Sequence, residues 1–168
     1  FLAEVVQAWE EASRPAVEAG IRVVSLRFGV VLSPSGGALG KLLPLFRRGL
    51  GGPIGGGQQW MSWIALEDVV SVVRFALEER ALRGALNAVA PKPVTNAHFT
   101  RALGHALHRP ALVPVPATAL RILYGAMAEE TLLASQRVLP RALQRAGFRF
   151  RYPTLESALG AVLASPAA

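Results

Sequence analysis

The sequence predicts an α/β fold built around a buried parallel sheet, and three observations carry that prediction. The stretch IRVVSLRFGVVL (21–32) is apolar nearly throughout and rich in β-branched residues, as a strand covered on both faces must be. A helical pattern precedes it, which makes the pair half of a βαβ unit. WIALEDVVSVVRFALEE (63–79) has strong amphipathic helical spacing, and the short apolar run LNAVAP (86–91) reads as a second strand after it.

The elements follow in order. Residues 1–19 read as one helix with Leu2, Val5, Val6 and Trp9 on a common face, ended by Gly20. The strand 21–32 leads into the turn SPSGGALG and a helix from Ala38 to Arg48. Helix 63–79 is expected to turn Val69, Val72, Val73 and Ala76 inward, with Glu67 and Asp68 favourably placed at its positive N-terminal end. Thr95 is placed to cap a helix burying Phe99, Leu103 and Leu107. ALVPVP is extended and edge-like. Helices are expected over 116–128, 130–137 and 139–146, then FRFRYP as a strand or hairpin arm, then a last helix from Thr154 with Leu155, Leu159 and Val162.

Composition excludes several classes. With 168 residues, 52% hydrophobic and 17% charged, the chain has enough apolar surface for a real core. Its apolar runs are interrupted by Arg74, Arg121 or prolines, so no span of about 20 residues crosses a membrane. Glu4, Glu10 and Glu11 argue against a secretory signal, and a cytoplasmic location is expected. The chain opens in mid-helix by its pattern, so an upstream portion is expected as well. There is no cysteine, hence no disulfide and no thiolate metal site. The net charge of +7 rests on arginines scattered along the chain without aromatic–basic alternation, which disfavours nucleic-acid binding.

Local motifs for chemistry are few. The run FRRGLGGPIGGGQQWMSW (46–63) packs six glycines into positions 49–57, yet no lysine follows a glycine pair as an ATP-type phosphate loop requires. The dinucleotide pattern started at Gly49 and Gly51 would need a third glycine where Ile54 stands, and a helix precedes it instead of a strand. His98, His105 and His108 lack further donors nearby, and no metal site is expected. The glutamate pairs Glu10/Glu11, Glu78/Glu79 and Glu129/Glu130 are sequence neighbours, which diverge by about 100° on a helix, so they are solvated faces. No Gly-x-Ser-x-Gly elbow occurs, and neither Tyr124 nor Tyr152 has a lysine four residues on.

Four blocks taken together resemble one family: FLAEVVQAWEEA (1–12), RVVSLRFGVVL through WMSWIALEDVV (22–70), GALNAVAPKPVTNAHFTRALGHALHRP (84–110) and LLASQRVLPRALQRAGFRFRYPTLESAL (132–159). They are similar to the C-terminal part of atypical extended short-chain dehydrogenase/reductase proteins related to sugar-nucleotide epimerases. The resemblance implies the C-terminal portion of a Rossmann-type NAD(P)-binding fold with a mixed α/β substrate lobe. Residues 1–32 would be its last helix and strand, 33–128 the substrate lobe, and 129–168 a small family-specific domain. It implies NADP as cofactor, tightly held only with a preceding nucleotide-binding half, and a small sugar-like or nucleotide-linked substrate. A homodimer is compatible with it.

Gly29, Val30 and Val31 would then approach the nicotinamide, Val31 foremost, at the carboxyl end of the strand. Gln58, Gln59, Trp60 and Trp63 would line the substrate cleft under a glycine loop that closes on the ligand, with Arg47 and Arg48 facing an anionic substrate group. Four positions depart from the pattern, among them Ala65 and Glu67 in place of the family's usual histidine and aspartate, with Asp68 kept. Where classical members carry a Tyr-x-x-x-Lys pair, alignment on Glu10 places Leu2 and Val6, and neither transfers protons. The chain thus reads as an NADP-binding oxidoreductase or epimerase-like protein. The alternative is a non-catalytic cofactor-sensing or partner-binding scaffold.

Overall fold

A computed structural model describes residues 2–125, 130–131 and 133–164. The expected helix 1–19 divides into α1 (Leu2–Glu11) and α2 (Arg14–Glu18). The break has a local cause: the Ser13 hydroxyl donates to the Glu10 carbonyl at 2.7 Å, and Pro15, which has no N–H, sits in the first turn of α2. The long strand also divides, into β1 (Val24–Phe28) and β2 (Val30–Leu32), with Gly29 between. After it come α3 (Gly37–Arg47), β3 (Trp60–Met61), β4 (Trp63–Ala65), α4 (Leu66–Glu78), β5 (Gly84–Ala88) and β6 (Val94–Thr95). The remaining helices are α5 (Asn96–Ala106), α6 (Ala117–Tyr124), α7 (Arg141–Arg145) and α8 (Leu155–Ala164).

β1 pairs in parallel with β5, β2 in parallel with β4, and β3 antiparallel with β6. Because side chains alternate along a strand, β4 divides the interior in two. Trp63 and Ala65 face a core shared with Leu32, Leu39, Phe46, Phe99, Leu103 and Leu159, while Ile64 faces one formed by Val72, Ala76, Leu86, Ala88 and Leu143. The β4 triplet is buried on both faces, as a parallel interior strand should be.

Several expectations are corrected. Burial of the 21–32 strand on both faces holds only toward its end: Arg27 and Phe28 are exposed, Phe28 at 46%, while Leu32 is fully buried. Helix 63–79 starts only at Leu66, because residues 63–65 are drawn into pairing with β2. Val73, expected inside, is exposed; Leu66, Val70, Val73 and Leu77 form an outward apolar stripe on α4. The helix expected over 130–137 is absent at 134–137, which has no regular secondary structure, and FRFRYP forms no strand. Parts of the helices expected over 116–128 and 130–137, and Glu129, lie outside the described residues. Thr95 does cap α5, accepting from His98 N at 3.3 Å, and Leu155, Leu159 and Val162 are buried on α8.

α1 is tied to β1 by a two-pronged pair: Arg27 Nε and Nη2 donate to the two Glu10 carboxylate oxygens, each at 2.6 Å. Those hydrogen bonds hold the Glu10 carboxyl below its ordinary range and raise Arg27. A depressed carboxyl contributes stability above its unfolded value and loses it as pH falls through the folded one. A carbon-detected NMR titration should therefore find Glu10 ionising below the ordinary glutamate range, and Arg27→Gln should shift it upward.

Candidate functional site

The strand that carries Gly29 changes neighbour there. Gly29 N still donates to Ala88 O, at 3.4 Å, beyond the end of the β5 ladder. One residue later Val30 N donates to Ser62 O at 2.8 Å and the β4 ladder begins. On its far side β4 is held by Ala90 N, which donates to Trp63 O at 2.6 Å, so β4 is wedged between β2 and the continuation of β5. A Cβ on residue 29 would stand 2.5 Å from Ser62 O and 2.7 Å from its carbonyl carbon. Only glycine lets the two backbones come that close. Gly29→Ala should lower stability by about 1–3 kcal/mol, readable as a reduced urea midpoint with unchanged slope.

The geometry leaves one edge open. Val30 turns its N–H to β4, so alternation turns the backbone groups of Val31 to the opposite edge. Among the described residues no strand pairs with that edge of β2, and β1 likewise has β5 as its single partner. Gly29, Val30 and Val31 are half-buried there, Val30 packing against one core and Val31 against the other. α1, α2, β1 and the link between α2 and β1 carry exposed apolar side chains: Val6, Val17, Ile21, Phe28 and Trp9, the last 74% exposed.

The glycine loop has a different occupant from the one expected. Val113 N donates to Gly51 O, Val115 N to Pro53 O, and Gly55 N to Val115 O, at 2.9–3.0 Å. A Cβ at Gly52 would lie 1.8 Å from Val113 O, and one at Gly51 2.6 Å from the Phe46 ring. The bare backbone is needed for the chain's own segment 113–115, so the loop is filled by protein. Ile54 N donates to Asn96 Oδ1 at 2.8 Å, and Gln59 Nε2 donates to Ile54 O at 3.1 Å, which anchors its other end to α5.

The four proposed cleft residues part company. Gln58 is exposed, and Gln59 is half-buried with its amide spent on the loop. Trp63 is fully buried, its indole N–H donating to Lys92 O at 3.0 Å, and presents no surface to a ligand. Arg47 stands exposed in the last turn of α3, where a cation suits the helix dipole, and its carbonyl accepts from Arg109 Nε. Trp60 is half-buried. It borders a hollow of about 360 Å³ with Lys92, Thr95, His98, Leu155 and Glu156. His98 Nε2 and Glu156 Oε1 are 2.9 Å apart there, and this contact holds the Glu156 carboxyl below its usual range.

Two features had no local signal in the sequence. Segment 135–139 binds along β3 and β4: Ser135 Oγ accepts from Trp60 N, Gln136 N donates to Trp60 O, and Ser62 Oγ accepts from Val138 N while donating to Gln136 O. Asp68 is fully buried and accepts from Arg151 N at 2.8 Å and Tyr152 N at 3.0 Å, joining α4 to the segment that leads into α8. Glu67 beside it accepts from the Tyr152 hydroxyl, whose pKa is raised by burial first and by that bond second. Among the described residues no cluster of three or more metal-binding side chains occurs, and no helix is long and apolar enough to cross a membrane.

Comparison with known proteins agrees with this geometry. Residues 115–162 match the model of a domain of unknown function, DUF1731. The chain is 49% identical over 166 residues to the epimerase family protein Mb2239 of Mycobacterium bovis, covering 99% of this chain and 55% of the relative. It is 40% identical to the human epimerase family protein SDR39U1, covering 98% and 56%. The crystal structure of human SDR39U1 (isoform 2) with NADPH superposes with a TM-score of 0.82 at 41% identity, over 84% of this chain and 48% of that one. A nucleoside-diphosphate sugar epimerase from Corynebacterium glutamicum superposes at 0.74 with 38% identity, over 96% and 31%. The chain spans about half the length of the curated relatives it matches. Its fold is that of the Rossmann-type α/β epimerases, and over nearly its whole length the chain is similar to proteins named as the epimerase family.

Proposed function

We propose that this chain is the substrate-side portion of an NADP-binding oxidoreductase or epimerase-like protein, completed by a nucleotide-binding half. The observation that carries the reading is the neighbour change at Gly29 beside an unpaired parallel edge. Ligands of open α/β sheets bind outside the carboxyl ends of strands, where the order of neighbours changes. The half-buried backbone of residues 29–31, with Val30 and Val31 turned to opposite faces, offers the flat nicotinamide ring an apolar strand end to lie against. NADP, when bound, supplies the hydride chemistry. The preceding strands of the nucleotide-binding half would pair with the open edge and cover Phe28, Val6 and Trp9. NADPH in the human SDR39U1 structure supports the choice of cofactor.

The division of the chain at 32 and 128 belongs to the same proposal, as do a small sugar-like or nucleotide-linked substrate and a cytoplasmic location. Gln58 and Trp60 are the residues retained for substrate contact. A homodimer is included too, with the α4 stripe as an available apolar surface. A second reading, a cofactor-sensing scaffold, is favoured by Leu2 and Val6 where classical members hold the acid–base pair.

Fluorescence titration with NADPH tests the first reading. The full-length protein should bind in the micromolar range or tighter, and residues 1–168 alone should not. Micromolar binding by the 168-residue chain alone, or none by the full-length protein, overturns it. Steady NADPH consumption across a panel of carbonyl and sugar-nucleotide substrates would eliminate the scaffold.

A further inference from the structure

We propose that Arg137, stacked on Trp60, is the anchor for a phosphate-type oxyanion of the substrate; this rests on the substrate-side reading above. The guanidinium carbon lies 4.8 Å from the Trp60 ring centroid. The backbone on either side of Arg137 is pinned by one buried hydroxyl, since Ser62 Oγ donates to Gln136 O at 2.9 Å and accepts from Val138 N at 2.8 Å. Ser135 and Gln136 add two bonds to the Trp60 backbone. An arginine is thereby held in one place on a rigid platform, yet it remains exposed and has no carboxylate partner among the described residues.

A guanidinium packed by its face keeps its N–H edge for two parallel hydrogen bonds to an oxyanion. Because the ordering is already built into the fold, little freedom is lost on binding. A second cation makes a dianion the better match than a carboxylate: Lys92 lies on the hollow that Trp60 borders, while the acid there, Glu156, is engaged by His98. The location also fits. Ser62, which clasps the backbone on both sides of Arg137, accepts from Val30 N through its carbonyl, so the segment bearing the anchor is joined to the strand end at 29–31. A substrate phosphate gripped there would set the distance of the reacting carbon from that strand end.

The test is an NMR titration of the full-length protein with sodium pyrophosphate, read at the Trp60 indole N–H and Arg137 Nε–H signals, with and without saturating NADPH. Saturable shifts of both signals are expected in both conditions. Arg137→Gln should weaken the pyrophosphate affinity by about tenfold or more, with Arg137→Lys in between. The Val138 amide signal, which reports the Ser62 clasp, should stay in place. Should the Arg137 variants fail to fold, Lys92→Gln, remote from the clasp, decides by the same shift, with an expected loss of several-fold. Signals that do not move, affinity that survives Arg137→Gln or Lys92→Gln, or a response abolished by bound NADPH would each overturn the assignment. The last result would give Arg137 to the cofactor's own phosphates. Failure of NADPH to bind while the Arg137 response persists would refute the cofactor reading alone.

Discussion

Gly52→Ala is expected to destabilise the protein by about 3 kcal/mol or more, or to prevent folding outright. The added methyl would lie 1.8 Å from Val113 O and 2.2 Å from its carbonyl carbon, well inside contact distance. Both partners are backbone, so no rotamer change relieves the overlap. The loop and segment 113–115 would have to separate, breaking the Val113 N–Gly51 O and Val115 N–Pro53 O bonds. Gly56→Ala is the matched control: a Cβ there meets nothing within 4 Å, and its unfolding midpoint should stay near the parent's. Equal effects at the two positions would mean that the loop is held by something other than this close approach.

The second large effect is expected at Asp68. Removing its fully buried carboxylate by Asp68→Ala leaves the Arg151 and Tyr152 backbone N–H groups of two part-buried bonds without their acceptors. An unsatisfied donor costs about 1–3 kcal/mol when buried, so a loss of about 2–3 kcal/mol in denaturant unfolding is the expected scale. Asp68→Asn should recover only part of it, because the amide offers one acceptor to two donors and turns N–H groups toward one of them. Glu67→Ala, which removes exposed contacts to the Tyr152 hydroxyl and Arg151, should cost far less. Hydrogen exchange in α8 should accelerate in Asp68→Ala and not in Glu67→Ala, since the buried carboxylate holds the lead-in to that helix.

These two sites show where the sequence was legible and where it was not. Helices with clear 3.6-residue spacing and a local start signal were readable: Thr95 capping α5, and Leu155, Leu159 and Val162 on α8. The β-branched run 21–32 was readable as a strand, but its break at Gly29 was not, because the break is set by Ser62, 33 positions away. Segment 134–139 carries helix-compatible residues and is not helical, because Trp60 and Ser62 offer it backbone and hydroxyl partners. Tertiary hydrogen bonds overrode weak propensity there. The glycine loop was recognisable as bare backbone that something approaches. That its neighbour is residues 113–115 depends on a contact that no local pattern encodes.

The same distinction applies to the candidate site. The residues proposed to face the cofactor sit at a strand end, which a sequence can mark. Those proposed to face a substrate were harder: two tryptophans three apart look alike in sequence, yet Trp63 is fully buried and Trp60 half-buried. Trp63 packs in a core with Leu32, Leu39 and Phe46, whereas the Trp60 ring meets the exposed Arg137 side chain. Arg137 became visible only through the stack it makes.

The central claim is that Gly29–Val31 forms the nicotinamide-facing wall, and valine methyl NMR of the full-length protein measures it directly. Addition of NADPH should displace the methyl signals of Val31, Val30 or both through direct contact with the bound ring, while valines on α4 such as Val70 stay fixed. NADPH that binds yet leaves both Val30 and Val31 unmoved would contradict the account.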